Sequence, residues 1–274
     1  MRDGLFQARD EVTTQQSQKQ AVNMYYTTGL TKAKLVELRE RIAIHGLAPG
    51  MRPWPPILGL YDSLTVTLKY LRRNRTQAEI AEEYGVSQPT ISRAISAMTP
   101  LIVGALMEFI PTADSLEGGK QYVIDGTLFP CWSWRSHKDL YSGKHKTTGM
   151  AALVACTPEG RLSWISDPVP GSRHDSFITK DSSVLECVNP MDYIGDKGFV
   201  GHDMITPFKK PAGGELLGWQ KEFNSGVNKI RWVIEQTIAH VKTWRILHTD
   251  YRGPIETFPE VITAVVGLEF FRIF

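Results

Sequence analysis

The sequence has few cysteines, no long apolar run and almost no net charge. Its three cysteines, Cys131, Cys156 and Cys187, stand far apart with no C-x-x-C pair, which excludes a zinc knuckle and a disulfide framework and fits a reducing cytosol. No N-terminal stretch has the apolar core of a signal peptide. The longest apolar run, residues 261–274, is too short for a bilayer and carries Glu269 and Arg272, so a soluble, cytoplasmic protein is expected. A net charge of +2 does not announce a polyanionic partner, so any such argument rests on where the basic residues sit. No internal repeat is present.

What remains is an ordinary globular composition, 42% apolar and 22% charged, on a chain long enough for one sizeable core and a small helical module. Basic residues are locally in excess: Arg135, Lys138, Lys144 and Lys146, with His137 and His145, face the single acid Asp139. The first twenty or so residues are polar and without period. A helix is expected from Thr31 to about His45, because Leu35, Leu38 and Ile42 recur at helical spacing and Gly46 stops it. Four prolines and a glycine within residues 49–56 then break the chain. Helical spacing fills residues 57–110, with Leu60, Leu64, Leu68 and Leu71 on one stripe. After Gly118-Gly119 the texture turns β-like at 122–124, 149–156, 161–166 and 193–195. Helical period returns at 228–247 and at the C-terminal end. The expected division is a helical arm over 1–55, a helical module over 56–112 and a mixed α/β (α+β) domain over 118–274.

Residues 76–95 carry the chemistry of a helix-turn-helix. Ala78, Ile80 and Ala81 give a first helix its apolar face, Gly85 permits a left-handed turn, Val86 fills the core and Ser87 caps a second helix. That second helix is expected to point Gln88, Thr90, Ser92 and Arg93 outward, able to reach phosphates or base edges. Lys69, Arg72, Arg73 and Arg75 just before it favour phosphate contact, whereas Glu79, Glu82 and Glu83 keep the module near neutral. A helical hairpin that touches no DNA is the bland alternative.

Three carboxylates stand in settings that present them to a metal. Asp125 closes the apolar run Tyr122-Val-Ile before Gly126, as an acid at a strand end. Asp196 has the same setting in Tyr193-Ile-Gly-Asp-Lys-Gly198. Glu235 sits on an amphipathic helix whose apolar stripe is expected to be Ile230, Val233 or Ile234, Ile238 and Val241, with Arg231 and Lys242 near the same face. Oxygen ligands with positions left for water and phosphate suit Mg²⁺ or Mn²⁺. Two such ions, about 3.5–4 Å apart, would activate a water or a 3′-hydroxyl and stabilise the leaving oxygen of a phosphodiester. Arg231 and Lys242 are placed to hold DNA phosphates, as are Lys144 and Lys146. In the Gly171–Ser176 loop, Asp175 is a candidate further ligand and His174 a candidate site-lining group, or Asp175 simply caps a helix. Trp132 and Trp134 are candidates to stack on unpaired bases, with a core or interface role as the alternative.

Taken in order, the helix-turn-helix, Asp125-Gly-Thr, Tyr141-Ser-Gly-Lys-His-Lys146, Pro170-Gly-Ser-Arg-His-Asp-Ser176, Gly195-Asp-Lys-Gly-Phe199 and the Glu235 helix ending Lys242-Thr-Trp-Arg-Ile-Leu247 resemble the DDE superfamily transposases of bacterial insertion sequences, in the branch akin to Harbinger elements. The family's Asp-Asp-Glu triad carries over to Asp125, Asp196 and Glu235, and an Arg-x₃-Glu-x₆-Lys pattern fits Arg231, Glu235 and Lys242. The tyrosine that often precedes that arginine by three is Asn228 here, and many relatives have arginine where this chain has Gln236. The resemblance implies a ribonuclease-H-like fold, cut-and-paste chemistry at terminal inverted repeats of double-stranded DNA, action on the nucleoid and at least a homodimer. A transposase-derived DNA-binding protein without transposition, to which the abrupt apolar end at Phe274 leaves room, is the alternative. A nuclease that cuts without joining is a third reading.

Overall fold

The helices of the N-terminal part form where apolar spacing and capping residues place them. A computed structural model describes residues 24–45, 52–132 and 136–274, and the chain divides into two compact units, Met1–Ala105 and Leu106–Phe274. The polar start, the Gly46 stop, part of the proline-rich break, Trp134 and Arg135 lie outside the described residues. In the first unit, α1 (Met24–Thr28) precedes α2 (Lys32–His45), where the Thr31 hydroxyl accepts the Lys34 N–H at 3.3 Å. Leu64, Leu68 and Leu71 of α3 (Gly59–Arg73) are fully buried, and α3 ends on Asn74 in the left-handed region. α4 (Gln77–Tyr84) starts with a reciprocal capping box: the Thr76 hydroxyl accepts Glu79 N–H, and the Glu79 carboxylate accepts Thr76 N–H. Gly85, at φ +63°, turns the chain into α5 (Gln88–Leu106).

One expectation about the core face of α4 fails. Ala78 is exposed, because the α4 face that meets the core is carried by Ile80 and Ala81. By length and composition alone, the stretch 88–115 is also long and apolar enough to cross a bilayer. Its Ile91, Ala94, Met98 and Ile102 are buried within the fold, as in a core helix.

The second unit is built on a sheet. Among the described residues, β1 (Tyr122–Pro130), β2 (Tyr141–Ser142), β3 (Thr147–Cys156), β4 (Leu162–Ile165), β5 (Val169–Pro170) and β6 (Tyr193–Ile194) form one mixed sheet in the order β2-β3-β1-β6. β3 is antiparallel to β1 along one edge and takes β2, β5 and β4 in succession along the other. β6 lies parallel to β1 over only two pairs, Tyr122↔Tyr193 and Val123↔Ile194.

Alternation along the strands assigns the faces. Tyr122, Ile124, Leu128, Leu153 and Ala155 share one core with Ile178 of α6 (Asp175–Asp181) and Val184 of α7 (Val184–Cys187). α8 (Gly218–Val241) packs on the other face of β1 and β3, where the Thr237 hydroxyl donates to Gly160 O at 3.3 Å. α9 (Phe258–Ile273) buries nearly all its apolar residues, and with them Glu269. A mixed sheet with helices on both faces, after an all-helical N-terminal part, is the fold class expected from the sequence and is consistent with a ribonuclease-H-like domain.

Candidate active site

The register of two parallel strands places the first two acids. β1 and β6 pair Tyr122 with Tyr193 and Val123 with Ile194, so Asp125 and Asp196 each follow their matched tyrosine by three residues. β6 stops at Ile194, so among the described residues no strand pairs with β1 on that side from Ile124 to Phe129, before the Tyr251 N–H donates to Pro130 O at 3.0 Å. Asp125 is not at the end of its strand, contrary to expectation: β1 continues to Pro130 because β3 pairs with it along the whole length. What presents Asp125 is the end of the neighbouring strand, not the end of its own. Asp196 does follow its strand directly, and its carboxylate accepts the Gly198 N–H at 2.6 Å, capping a single turn over Lys197–Phe199.

Alternation turns the Asp125 side chain to the α8 face. There Arg231 Nη2 donates to Asp125 Oδ2 at 3.2 Å, both side chains being 16% exposed, and Asp125 Oδ1 accepts the Gly126 N–H at 2.8 Å. Burial pushes the Asp125 carboxyl above the usual carboxylate range. The Asp196 charge adds to that rise, and Arg231, the Gly126 N–H and Lys144 offset part of it. The Arg231 Nε is buried without a hydrogen-bond partner, so the guanidinium is held by one contact rather than a fork.

Asp175 approaches from the other side of β1. Its carboxylate lies against the bare Cα of Gly126, where a Cβ would collide with it, so glycine is required after Asp125. Lys144 Nζ donates to Asp175 Oδ2 at 2.8 Å. Burial works against the Lys144 charge, but the bond to Asp175 and the charges of Asp175, Asp125 and Asp196 push its pKa up. Asp175 is the first residue of α6, and its side chain is engaged by Lys144 rather than spent on capping. His145 is pushed down by burial and by the charges of Lys144 and of Lys242 at the α8 terminus, with Asp175 offsetting part of the shift. Burial also lowers Lys242 itself. Lys146, at φ +53°, is exposed on the same loop.

The remaining candidates are more scattered. Glu235 is exposed one turn beyond Arg231 on α8, and among the described residues no three His, Cys, Asp or Glu side chains gather closely enough to hold a metal ion. The donor chemistry nevertheless fits a hard divalent cation. Burial raises the Asp125 carboxyl and the nearby Asp196 charge adds to it, so added positive charge is favoured there, and Mg²⁺ is commonly held by one or two carboxylates with water and phosphate completing the shell. The α8 stripe is corrected: Val227, Ile234, Thr237 and Val241 are buried, whereas Ile230 is 40% exposed because it falls at the edge of the packed face. His174 is exposed at the head of α6, and Trp132 is exposed just after β1.

On the helix-turn-helix, Gln88 and Arg93 face outward and Ser92 is half-buried. Thr90 is not outward: it is 7% exposed, and its hydroxyl meets that of Ser87 at 2.9 Å, so it serves the turn. Lys69 and Arg75 are both engaged by Glu83, which takes these two charges from the phosphate-contact set. Sequence reading missed Glu269. This fully buried carboxylate accepts Trp244 Nε1–H at 2.7 Å and Arg272 Nη2–H at 2.6 Å. It fixes the Lys242-Thr-Trp-Arg segment to α9, and only an acid inside an otherwise apolar helix signals it.

Comparison with known proteins gives the same two parts. Residues 124–269 match the family described as DDE superfamily endonuclease, and residues 58–108 match the helix-turn-helix of DDE superfamily endonuclease. A protein assigned as the transposase for insertion sequence element IS112 of Streptomyces albus G is 27% identical over 225 residues, covering 78% of this chain and 80% of that protein. Another, assigned as the transposase for insertion sequence element IS702 of Microchaete diplosiphon, is 27% identical over 242 residues, covering 80% and 82%. No solved structure matches.

Proposed function

The chain belongs to the DDE superfamily endonucleases, with the family's helix-turn-helix ahead of the endonuclease part, and on that premise we propose that it is the transposase of an insertion sequence. In this reading it cuts double-stranded DNA at terminal inverted repeats and joins the ends to a target. The observation that carries it is the parallel pairing of β1 and β6, which brings Asp125 near Asp196, with α8 packed on β1 and β3. The similarity to the IS112 and IS702 proteins supports transposition over simple hydrolysis, and the narrower likeness to Harbinger-related elements rests on the motifs around Asp175 and Asp196.

Endonucleases of this superfamily work with divalent metal ions. Asp125, Asp196 and Glu235 would hold two Mg²⁺ or Mn²⁺ ions, which supply an activated water or 3′-hydroxyl and stabilise the leaving oxygen. Arg231 orients Asp125, and Lys144 holds Asp175 against Gly126, where its carboxylate would act as a further metal ligand or orient the groups that hold the metal. Lys242, Lys144 and Lys146 form a basic rim for DNA phosphates. Gln88, Ser92 and Arg93 meet the duplex, and a dimer on DNA holds the two ends. A binding-only derivative is disfavoured by retention of both sheet-borne carboxylates. The test supplies pre-cut repeat ends bearing 3′-hydroxyls together with target DNA. Joined products support transposition, whereas cleavage of intact repeats without joining moves the protein to the nuclease reading.

A further inference from the structure

On α8, the exposed side carries Lys221, Ser225, Asn228, Lys229 and Trp232, neighbours at spacings of three and four residues that form one stripe. With Leu216 these side chains line a shallow, open hollow of about 640 Å³ in which no acid takes part. Trp232 is 54% exposed. Single exposed apolar side chains are common on protein surfaces. This indole differs in being set among cations and amide and hydroxyl groups. Lys229 has no ion-pair partner among the described residues, and Lys221 has only Glu215 at 3.6 Å. The stripe ends at Glu235, three residues and about 4.5 Å of rise beyond Trp232.

We propose that this face receives an unpaired nucleotide next to the cutting site, its base stacked on Trp232 and its flanking phosphates on Lys229 and Lys221. The inference rests on the DNA-cutting reading above and adds to it a site for displaced bases. Every base has a π-face, and aromatic side chains interleaved with lysines are the chemistry that holds single strands without sequence preference. An intact duplex does not meet these requirements, because its bases are already stacked on one another. A second copy of the chain is a poor occupant: a twofold contact centred on this hollow sets Lys221 and Lys229 against their own copies, and no acid lines the hollow.

The test measures binding of a labelled short oligothymidylate and of a blunt duplex of equal length by fluorescence anisotropy, with the full chain as wild type, Trp232→Ala and Trp232→Phe. Stacking losses on alanine substitution run from about fivefold to about a hundredfold, so Trp232→Ala is expected to weaken oligothymidylate binding by about tenfold or more. Trp232→Phe is expected to retain most of the affinity, and duplex binding is expected to stay within about twofold of wild type in both variants. Equal oligothymidylate affinity in wild type and Trp232→Ala overturns the proposal. So does a change of oligomeric state in Trp232→Ala with single-strand affinity intact, which assigns the face to a second copy. If wild type binds the duplex but not the single strand, the stacking site is refuted and the DNA reading survives. Binding of neither sinks the DNA reading itself.

Discussion

Asp125→Asn isolates the charge at the centre of the site while preserving shape and the acceptor for the Gly126 N–H. Without metal, the Asp125 carboxyl has a raised pKa, so the folded chain binds its proton more tightly than the unfolded chain does. Stability contributed by the protonated form is therefore full at low pH. It falls as pH rises from the ordinary Asp range, about 3.9, through the raised value, and is gone above that window. At neutral pH the metal-free variant should be no less stable than wild type. With Mg²⁺ the order reverses. A ligand at ten times its dissociation constant stabilises the fold by about 1.4 kcal/mol. At about 2–4 °C per kcal/mol for a unit of this size, that is a rise of about 3–6 °C in melting temperature. Differential scanning fluorimetry across pH, with EDTA or Mg²⁺, should show that rise in wild type and lose it in Asp125→Asn. An equal Mg²⁺-dependent rise in both proteins would refute the assignment of Asp125 as a metal-holding residue.

Arg93→Ala should weaken duplex binding and lower the slope of log affinity against log salt by about one if the side chain contacts a phosphate, as a salt titration would reveal. Thr76→Ala removes the hydroxyl half of the capping box ahead of α4 and should cost about 1 kcal/mol in denaturant unfolding of the N-terminal transition; no loss would mean the cap is not used in solution. Glu269→Leu strands buried Trp244 and Arg272 groups and should destabilise the second unit by about 3–5 kcal/mol, with Glu269→Gln losing less because an amide still accepts from the indole.

Much of the site is legible because strand and turn chemistry is local. Tyr193-Ile-Gly-Asp-Lys-Gly states a short strand, an acid and a tight turn in six residues, and the structure forms that unit. Asp125 needed more than local information. Tyr122-Val-Ile-Asp-Gly reads as a strand that ends, but the pairing of residues 123–130 with β3 extends it, and only strand order reveals the open flank beside β6. The polarity of Thr90 suggests an outward side chain, but on the first turn of α5 it faces inward and its hydroxyl meets that of Ser87. Ile230 was read as core from the helical period alone, which fixes a stripe but not its centre. Lys69 and Arg75 are neutralised by direct ion pairs with Glu83, partners that lie 14 and 8 residues away and that composition alone does not specify. Pairings such as Lys144 with Asp175, 31 residues apart, and Arg231 with Asp125, 106 apart, have no signature short of the fold itself.

The most direct test of the central claim is cleavage of DNA carrying the element's terminal repeats, in Mg²⁺ or Mn²⁺, by wild type and Asp196→Ala. The account predicts nicking at the repeat boundary by wild type only, with both proteins binding the repeats. If both bind and neither cuts with either metal, or if Asp196→Ala cuts as well as wild type, the assignment of Asp125, Asp196 and Glu235 as the catalytic carboxylates is contradicted.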